Sequence, residues 1–156
     1  YASDGGWNYR YGGKAIAMSQ LRGAPFSLGG RISLGRNTAP SSYQGYMFVE
    51  SVSTWEANSW LAFNFNPKLA WSGVGTPWAV GLGANIQLGR NFQLIPEVNV
   101  VGSDFNATNG TLALRWLPTT GFNVELYVSN AAGLYDIGQL LDNTNMRVGG
   151  RLLFSF

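Results

Sequence analysis

The sequence predicts an all-β protein, a single antiparallel sheet closed as a transmembrane barrel of eight to ten strands, with ten the best count. Three observations lead there. Apolar and polar residues alternate with a period of two through most of the chain, the signature of strands with one face in an apolar environment. Gly recurs every few residues, 21 in 156, and helical periodicity is hard to find. Charged residues are only 12%, about half the usual quarter of a soluble domain.

Taken in chain order, the pattern predicts strands over 11–21, 25–35, 43–53, 58–66, 68–72, 78–89, 92–101, 111–117, 121–129 and 146–156. Phe26, Leu28, Gly30, Ile32 and Leu34 share a face opposite Ser27, Gly29, Arg31 and Ser33. The clearest stretch sets Trp78, Val80, Leu82, Ala84, Ile86 and Leu88 against Ala79, Gly81, Gly83, Asn85 and Gln87. Leu112, Leu114 and Trp116 alternate with Thr111, Ala113 and Arg115, and Phe122, Val124, Leu126 and Val128 with Asn123, Glu125, Tyr127 and Ser129. Tight turns are expected at Asn66-Pro67-Lys68, Gly89-Arg90-Asn91 and Pro118-Thr119-Thr120-Gly121, where Gly, Pro and Asn supply the turn conformations. Looser links lie between, at 72–77, 102–110 and 130–145.

Period two fits a soluble barrel and a membrane barrel alike. The two differ in which face is apolar outward. The few mid-strand charges sit mostly on the small, polar face, which reads as a lumen. Aromatic rings gather at strand ends: Phe65, Phe92, Trp116, Phe122 and Phe156 beside the tight turns or chain end, Trp55, Trp60, Trp71 and Trp78 beside the looser links. Rings at both ends are what interfacial girdles require. No run approaches the roughly 18 apolar residues of a membrane helix.

The chain closes on Met146-Arg147-Val148-Gly149-Gly150-Arg151-Leu152-Leu153-Phe154-Ser155-Phe156, with Val148, Leu152, Phe154 and Phe156 on one face. This resembles the last strand of bacterial outer-membrane β-barrels, which ends on Phe and serves as their assembly signal. The resemblance covers that strand and the general style of the chain. It implies an outer-membrane location, a lipid bilayer around the barrel and the barrel-assembly machinery as a partner.

The whole chain, 1–156, reads as one domain. The abrupt start at Tyr1, with Trp7, Tyr9 and Tyr11 alternating at once, leaves open a longer native chain. Spanning strands need about 9–11 residues each, so one copy is too short for a sixteen-stranded porin, and any open bore is narrow. Arg31, Glu97, Arg115, Glu125, Arg147 and Arg151 are the lumen or constriction candidates. A link centred near Asn106 would set Glu97 opposite Arg115, and the next turn Arg115 opposite Glu125, giving a three-strand charge ladder. An unpaired charge there would be costly.

Enzymatic activity is not expected. The chain has neither His nor Cys, which removes the commonest general base, thiolate nucleophiles and thiolate metal sites. Gly81-Leu82-Gly83 lies inside a strand with no helix to follow, so it is no dinucleotide loop. Asp136 and Asp142 match no calcium loop; no metal or cofactor is expected. A net charge of +2 is too small to call for nucleic acid.

The leading expectation is a narrow channel for small solutes or ions with a slight anion preference, four arginines facing two glutamates. The alternative is a sealed structural or interaction barrel, acting through its loops or as a subunit of a larger assembly. The segment 133–144, with Leu134, Tyr135, Ile137, Leu140 and Leu141, would then dock a partner or a second copy, fold into the lumen, or pack on the rim. A third reading is a soluble calycin-like carrier of a small apolar ligand.

Overall fold

The computed structural model describes residues 8–37, 45–73, 75–102, 108–131, 136–140 and 142–154. Their alternation is satisfied by nine antiparallel strands: β1 (Asn8–Met18), β2 (Ser27–Asn37), β3 (Tyr46–Asn58), β4 (Leu61–Ser72), β5 (Trp78–Leu88), β6 (Phe92–Val101), β7 (Asn109–Thr119), β8 (Phe122–Ala131) and β9 (Asp142–Phe154). Each pairs with its sequence neighbours in the order β1 to β9, one sheet curled into a half-barrel. All-β, antiparallel and single-sheet are therefore the fold. Two 3-10 turns accompany the strands, Gln20–Arg22 between β1 and β2 and Asp136–Leu140 between β8 and β9.

The expected ten segments become nine described strands because 58–66 and 68–72 are one strand. Asn66-Pro67-Lys68 is not a turn; it lies in the middle of β4. Proline has no N–H to give to a ladder, and the β3–β4 pairing opens beside it. The β3–β4 ladder skips Ser51–Pro67 and Val52–Asn66 and resumes in the same register. The Ser53 backbone N–H donates instead to the Asn66 Oδ1 at 3.1 Å. The real hairpin turn comes at Ser59-Trp60, where the Trp60 N–H donates to the Asn58 side chain at 3.0 Å, an Asx turn. Two further tight hairpins turn on Gly89 (φ 74°) and Gly121 (φ 89°), backbone that glycine adopts without strain.

The turn at 59–60 corrects the ends assigned to several rings. Trp55 and Trp60 belong to the tight-turn end with Phe92, Trp116 and Phe122, not with Trp71 and Trp78. Trp55 stacks on Phe63 with centroids 5.9 Å apart, Phe92 lies opposite Trp116, and Phe122 packs on Phe154 at 5.1 Å. Phe65 is a mid-strand residue facing Ser53 and Leu82. Trp71 and Trp78 stand at the other end, at the close of β4 and the start of β5. Phe156 lies outside the described residues.

Register separates the two faces cleanly. The convex face carries Ile32, Leu34, Phe63, Phe65, Leu82, Val98, Val100, Leu112, Leu114 and Leu126, all exposed large hydrophobics. The concave face carries glycine, alanine, serine, asparagine and the buried charges. The small apolar core, Phe48, Ala70, Ala79, Val101 and Leu140, lies on the concave side, with Tyr46 and Ile137 against it. Soluble sheets bury the larger apolar face. Here it is the polar face that is covered.

Candidate functional site

Strand register brings all six sequence-predicted charges to the concave face. Arg31 lies opposite Glu50, Glu97 opposite Gly83 and Thr111, Arg115 opposite Gln93 and Glu125, Arg151 opposite Glu125, and Arg147 opposite Ser129. All but Arg147 fall into two groups rather than one ladder.

The first group lies near the tight turns. Glu125, with its side chain fully buried, accepts from Arg115 at 2.8 Å and is also ion-paired with Arg151. Arg115 reaches the carboxylate through both Nε (3.0 Å) and Nη2 (2.8 Å) and sends Nη1 to the Gln93 Oε1 at 3.2 Å. Two guanidiniums thus enclose one carboxylate, and the bonds from Arg115 are charge-assisted.

Glu97 does not join it. The β6–β7 register pairs Phe92 with Trp116 and Asn99 with Asn109, so the connection centres two residues earlier than Asn106. That moves Glu97 by four residues, from Arg115 to Thr111. Its partner is Lys68, at 3.3 Å.

Lys68 is the centre of the second group. Its Nζ lies 3.1 Å from Glu50 and 3.3 Å from Glu97, and donates to the Asn99 Oδ1 at 2.7 Å and the Gln139 Oε1 at 3.0 Å. The side chain of β4 reaches β6 by passing across β5 at Gly81. A Cβ there would stand 2.9 Å from the Lys68 Nζ and 3.0 Å from the Asn99 Oδ1. Gly81 is therefore an opening for the lysine, a requirement of close approach rather than of φ.

The inner turn Asp136–Leu140 completes this group. Asp136 takes an ion pair from Arg31 at 2.9 Å, a longer one from Arg10 at 3.8 Å, and a hydrogen bond from the Tyr46 hydroxyl at 3.1 Å. The Gln139 carbonyl accepts from the Asn109 Nδ2 at 2.8 Å, and Asn99 donates to the Asn109 Oδ1 at 3.0 Å. Arg31 also binds Glu50 at 3.2 Å and lies 4.9 Å above the Phe48 ring. Arg10, Arg31 and Lys68 face Glu50, Glu97 and Asp136, three charges of each sign. Matched charge is what makes a dry polar interior tolerable.

The described part of 133–144 thus turns inward, with Asp136 and Leu140 buried, instead of presenting its apolar residues to solvent. Residues 133–135 and 141 lie outside the described residues. Sequence reading missed Lys68, Glu50, Asn99, Asn109 and Gln139. Lys68 falls in the expected Asn66-Pro67-Lys68 turn, yet its alternation with Asn64, Asn66 and Ala70 marks it as inward-facing. Among the described residues, no group of three or more His, Cys, Asp or Glu could hold a metal ion, and no helix is long and apolar enough to cross a membrane. The chain matches no family model, no curated protein and no solved structure.

Proposed function

We propose that this protein is a small outer-membrane-type β-barrel whose bore is closed, serving as a structural or interaction barrel and not as an open pore. The observation that carries the proposal is the inverted burial. Large apolar side chains cover the convex face, while the side chains of Lys68 (0%), Glu125 (0%), Asp136 (1%) and Glu50 (8%) have almost no exposure on the concave one. A soluble barrel would reverse that distribution; lipid rewards it. An open aqueous channel would leave its lining charges wet. Here those four are covered although no described strand joins β1 to β9, and further closure only reduces exposure.

Rings at both ends, Trp55, Trp60, Phe92, Trp116 and Phe122 at one and Trp71 and Trp78 at the other, support a bilayer setting. On β9, Val148, Leu152 and Phe154 face outward together, in keeping with a strand that the assembly machinery would recognise. The soluble carrier reading loses support because the apolar residues a ligand would need are on the outside.

The channel remains the second reading, favoured by the partial exposure of Arg31 (23%), Arg115 (27%) and Arg151 (28%). Solutes passing them would meet an excess of cations. Recording the purified, detergent-folded protein in planar bilayers, with insertion confirmed independently, separates the two. The closed reading expects a silent membrane. Discrete steps with an anion-selective reversal potential in a KCl gradient would overturn it in favour of the channel.

A further inference from the structure

We infer that Arg31, Ser33 and Tyr46 frame a binding site for a small carboxylate on the concave wall, occupied in this structure by the protein's own Asp136 as an exchangeable stand-in. The frame follows from strand register. Arg10, Gly35 and Tyr46 form one row across β1, β2 and β3, and Ser33 lies on β2 between that row and Arg31. The Tyr46 ring crosses β2 at Gly35, where an added Cβ would overlap it. From the other side the Arg31 guanidinium leans over the ring of Phe48, the residue opposite Ser33. Ser33 is left at the centre, 4% exposed.

Unmet donors mark the site. Among the described residues, Ser33 Oγ, Arg31 Nε and Arg31 Nη2 are buried and make no hydrogen bond. The two guanidinium nitrogens do have ion pairs, at 3.2 Å from Glu50 and 2.9 Å from Asp136, so their charge is met while their alignment is not. Buried polar groups are nearly always hydrogen-bonded, and three such donors on one frame call for an acceptor. Asp136 fills that role incompletely. It accepts from the Tyr46 hydroxyl at 3.1 Å, and the Arg10 Nε stands 3.8 Å away. Its backbone is held at φ 52°, left-handed geometry that is uncommon for a residue with a side chain, Asp being among the more tolerant. A tethered carboxylate approaches from a fixed direction. A free one can turn to meet a guanidinium fork and take the spare bond from Ser33.

Charge decides that the ligand replaces Asp136 and does not join it. Arg31 already faces two carboxylates, Glu50 and Asp136, and a third anion beside them would be repelled. Exchanging one carboxylate for another leaves the group balanced. The Arg10 side chain, 46% exposed, borders the frame and opens it to solvent on that side. What else holds the inner turn is short: Gln139 bonds to Lys68 and Asn109, and Leu140 packs in the small core. A planar, singly charged acid fits better than a tetrahedral oxyanion, since the occupant present is itself a carboxylate. The Asp136–Leu140 turn is then a built-in occupant that its ligand releases. The inference uses the β1–β3 register and these side chains; it does not need the bilayer.

Asp136→Gly vacates the frame, and glycine accepts the φ of 52°. The folded variant is titrated with sodium acetate against sodium chloride at equal ionic strength, and its urea unfolding is followed by tryptophan fluorescence. Acetate should raise the midpoint and saturate; at about ten times its dissociation constant the folded-to-unfolded ratio should be about elevenfold that in chloride. Adding Ser33→Ala should weaken acetate binding about fivefold, the value of one hydrogen bond. Ser33→Ala alone, with Asp136 in place, should leave the midpoint unchanged or raised, because the hydroxyl has no hydrogen bond to lose. Exchange in the intact frame is read on a single thiol. The chain has no cysteine, so Gly138→Cys reports the inner turn, and acetate should speed its labelling where chloride does not. A vacated frame indifferent to acetate, phosphate outcompeting acetate, or an acetate shift untouched by Ser33→Ala would each overturn the site. Equal labelling in acetate and chloride would overturn the exchange and make Asp136 a permanent part of the wall. If Asp136→Gly does not fold, Asp136→Asn, which keeps an acceptor for Tyr46, takes its place. Stability and labelling are read without conduction, so they stay interpretable if the bilayer reading itself fails.

Discussion

Removing the Lys68 ammonium is the most demanding test of how the interior is built. Lys68→Met keeps the length and apolar stem of the side chain and deletes only its charge. The Nζ lies 3.1 Å from Glu50 and 3.3 Å from Glu97. At an effective dielectric of 20, each contact is a gross attraction of about 5 kcal/mol. Much of that offsets the desolvation of three charges, so the pairs themselves contribute far less than their sum. What the substitution leaves behind is costlier: the 8% exposed Glu50 side chain then keeps only Arg31, and Glu97 loses its ammonium. Breaking a buried ion pair from one side costs about 3–5 kcal/mol. Glu97 is 28% exposed, which places the expected loss near the lower end. Urea unfolding of the protein in lipid vesicles, followed by the fluorescence of its six tryptophans, measures it. Adding Glu50→Gln and Glu97→Gln to the Lys68→Met chain should recover at least half of the loss, since both carboxylates that lose the ammonium are then neutral and Arg31 keeps Asp136. A loss below about 1 kcal/mol, the value of an exposed pair, would refute the reasoning, as would a triple variant no better than the single one.

Four further outcomes follow from the same geometry. Gly81→Val should displace the lysine that crosses its Cα and destabilise by about 1–3 kcal/mol, read on the same urea curves; a neutral result would mean that the crossing is not needed. Glu125→Leu, which leaves Arg115 and Arg151 without their common carboxylate, should cost about 3–5 kcal/mol, whereas Arg115→Met, with Arg151 still in place, should cost about half as much. Leu114→Arg on the convex face should destabilise by about 2–4 kcal/mol in a bilayer and be nearly silent on a water-exposed surface, so its vesicle unfolding curve tests the membrane reading directly. Trp71 and Trp78, as the only tryptophans left in a chain with the other four changed to Phe, should be quenched most strongly by bromines near the headgroups; maximal quenching by bromines at the acyl ends would displace them from the interface.

Much of this was legible in the residues. The 78–88 alternation gave both faces of β5 correctly, because each position there is either clearly apolar or clearly small and polar. Arg115 opposite Glu125 was also legible, since the Pro118–Gly121 turn is short and a short turn fixes its register. The Glu97 partner was not. Its register passes through a connection whose residues carry several Gly, Asn and Thr choices for where to turn, and an error of two in the centre shifts every pair by four. Lys68 was hidden by a proline that in most sequences marks a break. What overrode the break was tertiary: β3 and β5 hold β4 in one register on both sides of Pro67. The partner of Asp136 could not be read at all, since its contacts with Arg31 and Tyr46 link positions about a hundred residues apart.

That separation has a kinetic consequence. Every seam of the sheet joins neighbours in sequence, so strands can zip one hairpin at a time with small loop-closure cost. The Asp136–Leu140 turn is different: its bonds to Lys68 and Tyr46 span 71 and 90 residues. They can form only after β3, β4 and β6 have already curled into register. The inner turn is thus the last element to arrive and the first to leave, a latch whose release precedes unfolding of the strands beneath it. Amide exchange at 136–140 should then outpace exchange in β4 and β5 by orders of magnitude, even though its side chains are among the most buried in the molecule.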